Sequence, residues 1–272
     1  MEPELVFRTD LYRGTASFYD RYRPPYPDAL LEELTRRSGV SGTGRLLDIA
    51  CGTGQISLPL ASWFAEVVAV DQEEEMVAYG RAKAEAAGVA NVRWMAASAE
   101  TVELEGTFEL VTIGNAFHRL NRRVVAQRVF SSLQPGGAFA LLWGDILARG
   151  NAAWQRAMGG LFEEWMDRLN ATDRLPGGWE AAMDRRPHEQ VLSRAGFDYV
   201  GKFEFVAEQT WTVPTLTGLV YSTSFLNREV LGAQAPAFEA ELSALLHSYE
   251  PAGVFQVAVS YAYQLATKPT ET

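Results

Sequence analysis

The chain's most chemically suggestive stretch is Asp48-Ile49-Ala50-Cys51-Gly52-Thr53-Gly54-Gln55, followed by a second acid, Asp71, at the end of the next apolar run. Gly52 and Gly54 permit positive φ and close approach of a ligand to the backbone, and a helix starting there would offer free N–H groups. A dinucleotide fingerprint in this register would want glycine at 50 and Gly or Ala at 55, where the chain has Ala50 and Gln55. A phosphate-binding loop would end in Gly-Lys-Ser/Thr, which is missing. Asp48 would repel a pyrophosphate and favour a cation. Asp71, at a strand end, can accept hydrogen bonds from both hydroxyls of a ribose. Two acids and two glycines so placed suit a nucleoside that carries positive charge.

The surrounding pattern must present these residues together. From Arg45 the chain reads as strand (Arg45–Ala50), helix (about 55–65), strand (Glu66–Val70), helix (about 72–87) and strand (Val92–Ala96). It continues as strand (Phe108–Gly114), helix (about 122–133), a Gln134-Pro135-Gly136-Gly137 turn and strand (Ala138–Trp143). The short strands are continuously apolar, as parallel strands covered on both faces are, and the alternation predicts a doubly wound α/β sheet. Such sheets bind ligands at the carboxyl ends of their strands. Phe203, Phe205 and Val206 and then Val254–Leu265 complete a Rossmann-like sheet of seven strands. Both are read as edge strands, the last antiparallel because a short hairpin-like return leaves no room for a crossover helix. Asn151–Asn170, with Asn151 as N-cap, and less regularly Pro214–Leu231 and Ala237–Tyr249 are predicted helices of a cap. With no linker setting them apart, the expectation is one domain over 1–272. It comprises an N-terminal helical segment (1–40), a cofactor-binding core (44–145) and cap insertions (146–195 and 210–250).

Composition narrows the partners. With 47% apolar and 21% charged residues in 272, the chain has the makings of a folded core. Its 24 Lys+Arg against 34 Asp+Glu give −10, a sign that repels phosphate backbones and anionic headgroups, so nucleic acid and membrane surfaces are disfavoured. One cysteine rules out a disulfide scaffold. The start has no signal-peptide pattern and no apolar run reaches the ~20 residues of a membrane span, so a cytoplasmic protein is expected.

S-adenosylmethionine, with a sulfonium, an ammonium and an unphosphorylated ribose, is a cationic nucleoside of the kind described. The sequence resembles class I S-adenosylmethionine-dependent methyltransferases over about residues 18–145. The likeness is carried by Leu46–Gln55, Val67–Asp71, Ala97-Ser98-Ala99-Glu100, Phe108–His118 and Leu133–Trp143 in order and spacing. Phe18-Tyr19-Asp20-Arg21-Tyr22-Arg23-Pro24-Pro25-Tyr26-Pro27 and Ala116-Phe117-His118 narrow it to the type 11 small-molecule group, similar to trans-aconitate methyltransferases. Ala50 stands where that loop usually has its first glycine, and Arg119-Leu120 where the trans-aconitate group tends to carry Trp and an acid, so that group's substrate is not carried over.

The resemblance implies S-adenosylmethionine as cofactor, with Asp48, Gly52 and Gly54 on its methionine side, Asp71 at the ribose, and Ala50 and Gln72 among the residues that bind it. Met76, Ala99 and Glu100 would meet the adenine, Asn115 would complete the set, and Arg23 would pair with the carboxylate. Plainer roles stand beside these: a surface arginine for Arg23, a helix N-cap for Asp71, an inert loop residue for Cys51. His118 is either a general base or a packed histidine near the cofactor, and His188 and His247 are expected to be solvated. Tyr19, Trp143, Trp179, Trp211 and Tyr221 either wall an acceptor pocket or belong to the core. If they wall it, the acceptor is apolar or aromatic. The expected reaction is methyl transfer to a small molecule, oxygen favoured over nitrogen or carbon. The alternatives are a non-methylating enzyme on the same fold, such as a cyclase, and an inactive binding protein.

Overall fold

The apolar runs of the first half become five parallel strands in a computed structural model that describes residues 8, 10–144, 150–174 and 186–270. The strands are β1 Arg45–Ile49, β2 Glu66–Asp71, β3 Val92–Ala96, β4 Phe108–Gly114, β5 Leu133–Gly144, β6 Asp198–Thr212 and β7 Val254–Thr267. They form one sheet in the order β3-β2-β1-β4-β5-β7-β6, with β7 antiparallel to both neighbours. Order reverses between β1 and β4, which puts the carboxyl ends of β1, β2 and β4 side by side.

Successive side chains alternate between the two faces. Leu46, Leu110, Ala138, Ala140 and Leu142 face α2 (Asp28–Arg37) and the cap helices, whereas Leu47, Ile49, Val111, Ile113, Phe139 and Leu141 face α5 (Arg122–Ser132) and α7 (His188–Arg194). The cap consists of α6 (Ala153–Arg168), α8 (Val213–Tyr221) and α10 (Ala235–Tyr249). Its aromatics pack on one another, with the Trp165 ring edge-on to Phe238 at 5.6 Å.

Three local expectations are corrected. β7 lies inside the sheet, not at its edge, and helices fill the β6–β7 connection, so its direction owes nothing to a short return. The helix after the glycine turn is only α3 (Ser57–Leu60) plus one 3-10 turn, Ala61–Trp63. Asn151 does not cap α6; there the Ala152 N–H donates to Gln155 Oε1 at 3.0 Å.

β3 is fastened to the glycine turn by Trp94. Its ring is clamped between Gly54 and Gly80 of α4 (Glu74–Ala86), and a Cβ added at either would come within 2.6 Å of ring carbons. Gly54 is thus required by this packing and by its φ of +86°. Helix propensity alone would favour Gly80→Ala by about 1 kcal/mol. The clamp reverses that sign, because the ring cannot retreat through Gly54 and overpacking costs about 1–3 kcal/mol. Gly80→Ala is expected to lower the thermal midpoint, and an unchanged or raised midpoint would disprove the clamp.

Candidate active site

At the carboxyl edge each loop leaves its strand under tight control. Cys51 N–H donates to Val70 O at 3.0 Å, Ala97 N–H to Asp71 O at 2.8 Å and Asn115 N–H to Leu142 O at 2.8 Å. The exits from β1 and β4 are strained: Ala50 has φ +53° and Asn115 φ +51°, a region that costs an L-residue about 1–2 kcal/mol. Asn115 is held there by its side chain, which donates to Tyr26 Oη at 3.1 Å and accepts from Gly144 N–H at 3.2 Å.

A pocket opens over these loops, enclosing about 670 Å3 of non-atom space including its mouth. Of the residues expected at a cofactor, Ala50, Gly52, Asp71, Gln72, Met76, Ala99 and Asn115 line it, and so does Tyr19. Asp71 anchors its floor: Oδ2 accepts from Gly52 N–H at 2.8 Å and Oδ1 from Glu73 N–H at 2.9 Å. Asp71 is not the N-cap of α4, a position held by Glu73; it accepts from that residue's N–H and faces the pocket. Burial pushes its carboxyl up, and the backbone donors pull it partly back.

Asp48 lies deeper. Fully buried, it lines a smaller adjoining cavity of about 260 Å3 with Tyr19, Tyr26, Ala50 and Gln55. Its carboxylate accepts from Ser57 Oγ at 2.5 Å and Thr112 Oγ1 at 2.9 Å. Burial pushes its pKa up to about 6 against the hydroxyl donors, with Asp71 adding to the rise.

The N-terminal segment forms a wall of the pocket. Tyr12 and Tyr19 both line it, their rings edge to face at 5.9 Å. Gly14 N–H donates to Glu75 at 2.8 Å, and Asp20 of α1 (Ala16–Tyr22) pairs with Lys83, fastening the segment to α4. Arg23 is no surface arginine. Its guanidinium lies 5.2 Å from the Tyr19 ring centroid, its Nη2 donates to Ser222 O at 3.3 Å, and its buried Nε has no hydrogen-bond partner among the described residues. Burial pushes the Tyr19 hydroxyl up to about 12, opposed by Arg23.

Other expected residues stand elsewhere. Glu100 is turned to its own loop, accepting from Ser98 Oγ at 2.6 Å and Asn121 N–H at 3.0 Å. His118 sits in the 3-10 turn Phe117–Arg119 but does not line the pocket; its neighbours Ala116, Arg119 and Leu120 do. Trp143 lies under the Lys202 ammonium at 5.6 Å, Trp211 on β6 is buried in the core that the sheet shares with the cap, and Tyr221 is buried and bonded to Glu239. Trp179 falls outside the described residues. His188 packs edge-on to Phe117 at 5.1 Å, and burial and Arg122 hold its pKa down to about 4, so it is not a solvated histidine. Cys51 is buried with its thiol pushed up by burial, which makes it inert. Tyr12, Glu73 and Arg119 were not anticipated in the pocket. Tyr12 belongs to an irregular stretch with no periodicity to mark it, while Arg119 was visible in the sequence only as a departure from the family pattern.

The ionised Asp48 destabilises the folded chain. Its folded pKa, raised from 3.8 to about 6, means that the penalty is absent below about pH 4 and complete above about pH 6. It amounts to about 3 kcal/mol at about 1.4 kcal/mol per unit. Asp48→Asn is expected to be the more stable protein at pH 8, with the gap to the parent closing as pH falls to 4. Thermal melts across that range with the same gap at both ends would refute this.

Comparison with known proteins agrees with this geometry. Residues 46–137 match the family described as "Methyltransferase domain". An uncharacterized methyltransferase of Schizosaccharomyces pombe is 28% identical over 225 residues, covering 82% of this chain and 80% of the relative. The malonyl-[acyl-carrier protein] O-methyltransferase of Bacillus anthracis is 27% identical over 154 residues, and the match spans 54% of this chain and 56% of that protein. Among solved structures, a putative type II methyltransferase from Anaeromyxobacter dehalogenans superposes with a TM-score of 0.63 at 21% identity, over 91% of this chain and 98% of that one. Sheet order, pocket and these matches support a methyltransferase domain over residues 46–137, similar to class I S-adenosylmethionine-dependent methyltransferases.

Proposed function

We propose that this methyltransferase acts on a small-molecule acceptor by in-line displacement and that oxygen is the atom methylated. The residues present suit the cofactor. Asp71 offers its remaining lone pairs at the pocket floor, and the Ala50–Gly52 backbone gives close approach. Met76, Ala97, Ala99 and Leu120 supply apolar surface for a flat base. Asp48, ionised above about pH 6, is placed to favour a cation beside it. S-adenosylmethionine, when bound, supplies a methyl group on a positively charged sulfur that leaves with the electron pair of the broken bond. What remains for the chain is to hold the acceptor in line and keep water away, and positioning of this kind can supply much of the acceleration.

The observation that supports oxygen over nitrogen or carbon is the small choice of bases among the described lining residues, where Glu73, its carboxyl pushed up by burial and by Asp71, is the one group placed to take a proton. No histidine lines the pocket, Tyr19 holds its proton up to about 12, and Asp71 is committed to backbone N–H groups. An oxygen acceptor already ionised at neutral pH needs no base. The cap aromatics lend no support to an apolar acceptor, because Trp211 and Tyr221 are spent on the core.

Incubation with methyl-labelled cofactor and an acceptor panel is expected to release S-adenosylhomocysteine with label on oxygen. Release without a methylated product, or none with any acceptor despite cofactor binding, would count against the reading. Asp71→Ala is expected to weaken cofactor binding about ten- to a hundredfold, as loss of a charged hydrogen-bond acceptor does, with a smaller change in turnover at saturation. His118→Ala is expected to keep turnover within about threefold, since removing a true base costs about a hundredfold or more. A loss of that size would return the base role to His118.

A further inference from the structure

Arg119 is the cation in the pocket wall, and it is carefully held. Its guanidinium lies 5.2 Å from the Tyr12 ring centroid, and its Nη2 donates to Ser224 Oγ at 3.2 Å. Tyr12 meets Tyr19 edge to face, and Tyr19 in turn meets the Arg23 guanidinium, so cation, ring, ring and cation run in sequence along the N-terminal side. Behind them Arg174 donates to Ser224 O at 2.7 Å and to Leu11 O at 3.3 Å. The segment that receives these guanidinium groups, Ser222 to Ser224, is buried. In a protein of net charge −10, this convergence of arginines on one side of the pocket is a local reversal of sign. Both Arg23 and Arg119 pull the Tyr19 hydroxyl's pKa down, whereas Asp71 pushes it up.

A guanidinium stacked on a ring has little rotamer freedom left to lose, and its flat fork matches a planar anion. We propose that Arg119 recognises the acceptor through a carboxylate, which makes the acceptor an organic acid; this rests on the methyl-transfer reading above and narrows its substrate. A carboxylate is ionised at neutral pH and needs no base to present a lone pair. It also carries one charge. A dianionic phosphate would meet stronger repulsion from Asp71 and Glu73 in the same pocket.

The test uses the full chain loaded with S-adenosylhomocysteine and titrated with benzoate and glutarate. Benzamide, glutaramide and phenylphosphonate serve as matched probes. The acids are expected to bind at millimolar concentration or better, and the amides and the phosphonate at least tenfold more weakly. Arg119→Gln is expected to weaken acid binding about tenfold or more while S-adenosylhomocysteine affinity stays within about threefold. Arg119→Lys should recover part of the loss, and Tyr12→Leu, which removes the supporting ring, should cost the acids several-fold. A merely structural Arg119 would lower the thermal midpoint without changing the preference for acid over amide. Equal binding of acid and amide, tighter binding of the phosphonate, no acid binding, or undiminished acid binding in Arg119→Gln would each overturn the proposal. Loss of S-adenosylhomocysteine affinity in that variant would assign Arg119 to the cofactor and overturn it too. Should the acids bind through Arg119 yet receive no label from the methyl-labelled cofactor, acid recognition would stand and the methyl-transfer reading would fall.

Discussion

Two carboxylates held at the carboxyl edge of the sheet by neutral donors are the constraint around which this site is organised. Burying an ionised group costs several kcal/mol unless hydrogen bonds or a counter-charge compensate, and the compensation here is incomplete. Asp48 has two hydroxyl donors and Asp71 two backbone donors among the described residues, and burial still raises both pKa values. Supplying those donors dictates much of the local structure. Gly52 must turn its N–H to Asp71, α3 must bring Ser57 under β1, and Thr112 must face Asp48 from the paired strand β4. Tight curling at the end of β1 puts Ala50 at positive φ, where a glycine would sit without strain. What is left uncompensated is negative charge, and a cationic ligand relieves it. Room for a cationic ligand and reduced stability of the free protein are thus two consequences of one arrangement.

The two ends of the chain reach this site by different routes. The N-terminal segment is pinned to α4 through Glu75 and Lys83 and lends Tyr12 and Tyr19 to the pocket. The cap is anchored in its own aromatic core and contributes backbone and hydroxyl groups at Ser222 and Ser224, which position the arginines. The cap therefore acts on the pocket indirectly. Its large side chains stabilise a platform, and the platform sets where Arg23 and Arg119 point.

The same division explains what could be read from the sequence. The inner strands β1 and β2 were legible because parallel strands buried on both faces are continuously apolar, as Leu46-Leu47 and Val67-Val68-Ala69-Val70 are. Asp71, Ala50 and Gly52 were legible because strand ends and glycine turns fix position locally. The place of β7 inside the sheet was not, since burial of alternate residues is the same for an inner and an edge strand once helices cover the face. The packing demand on Gly54 was hidden for a related reason: a glycine required by a distant ring, Trp94, looks the same in sequence as one required by a ligand. Trp211 and Tyr221 misled because an aromatic residue satisfies a core and a pocket equally well, and only tertiary packing decides. Likewise, neighbouring His118 and Arg119 share a turn, and the backbone path through that turn determines which of them reaches the pocket.

The pocket that results is polarised. Asp71 and Glu73 line one part of it, with Asp48 in the cavity beneath, whereas Arg119 and the arginines behind it stand against the N-terminal rings. Methyl transfer from a cationic donor to an ionised oxygen joins opposite charges and ends with neutral groups, so the charge separation is greatest before reaction. A site with fixed charges of both signs can bind each reactant by its own charge and keep them from collapsing into the wrong pairing. Under the proposed transfer to an anionic acceptor, the sulfonium and the acceptor's charge disappear together, so the acids would lose their cation and Arg119 its anion. The overall charge of −10 says nothing of this, because the selectivity resides in the difference between two walls a few side chains apart.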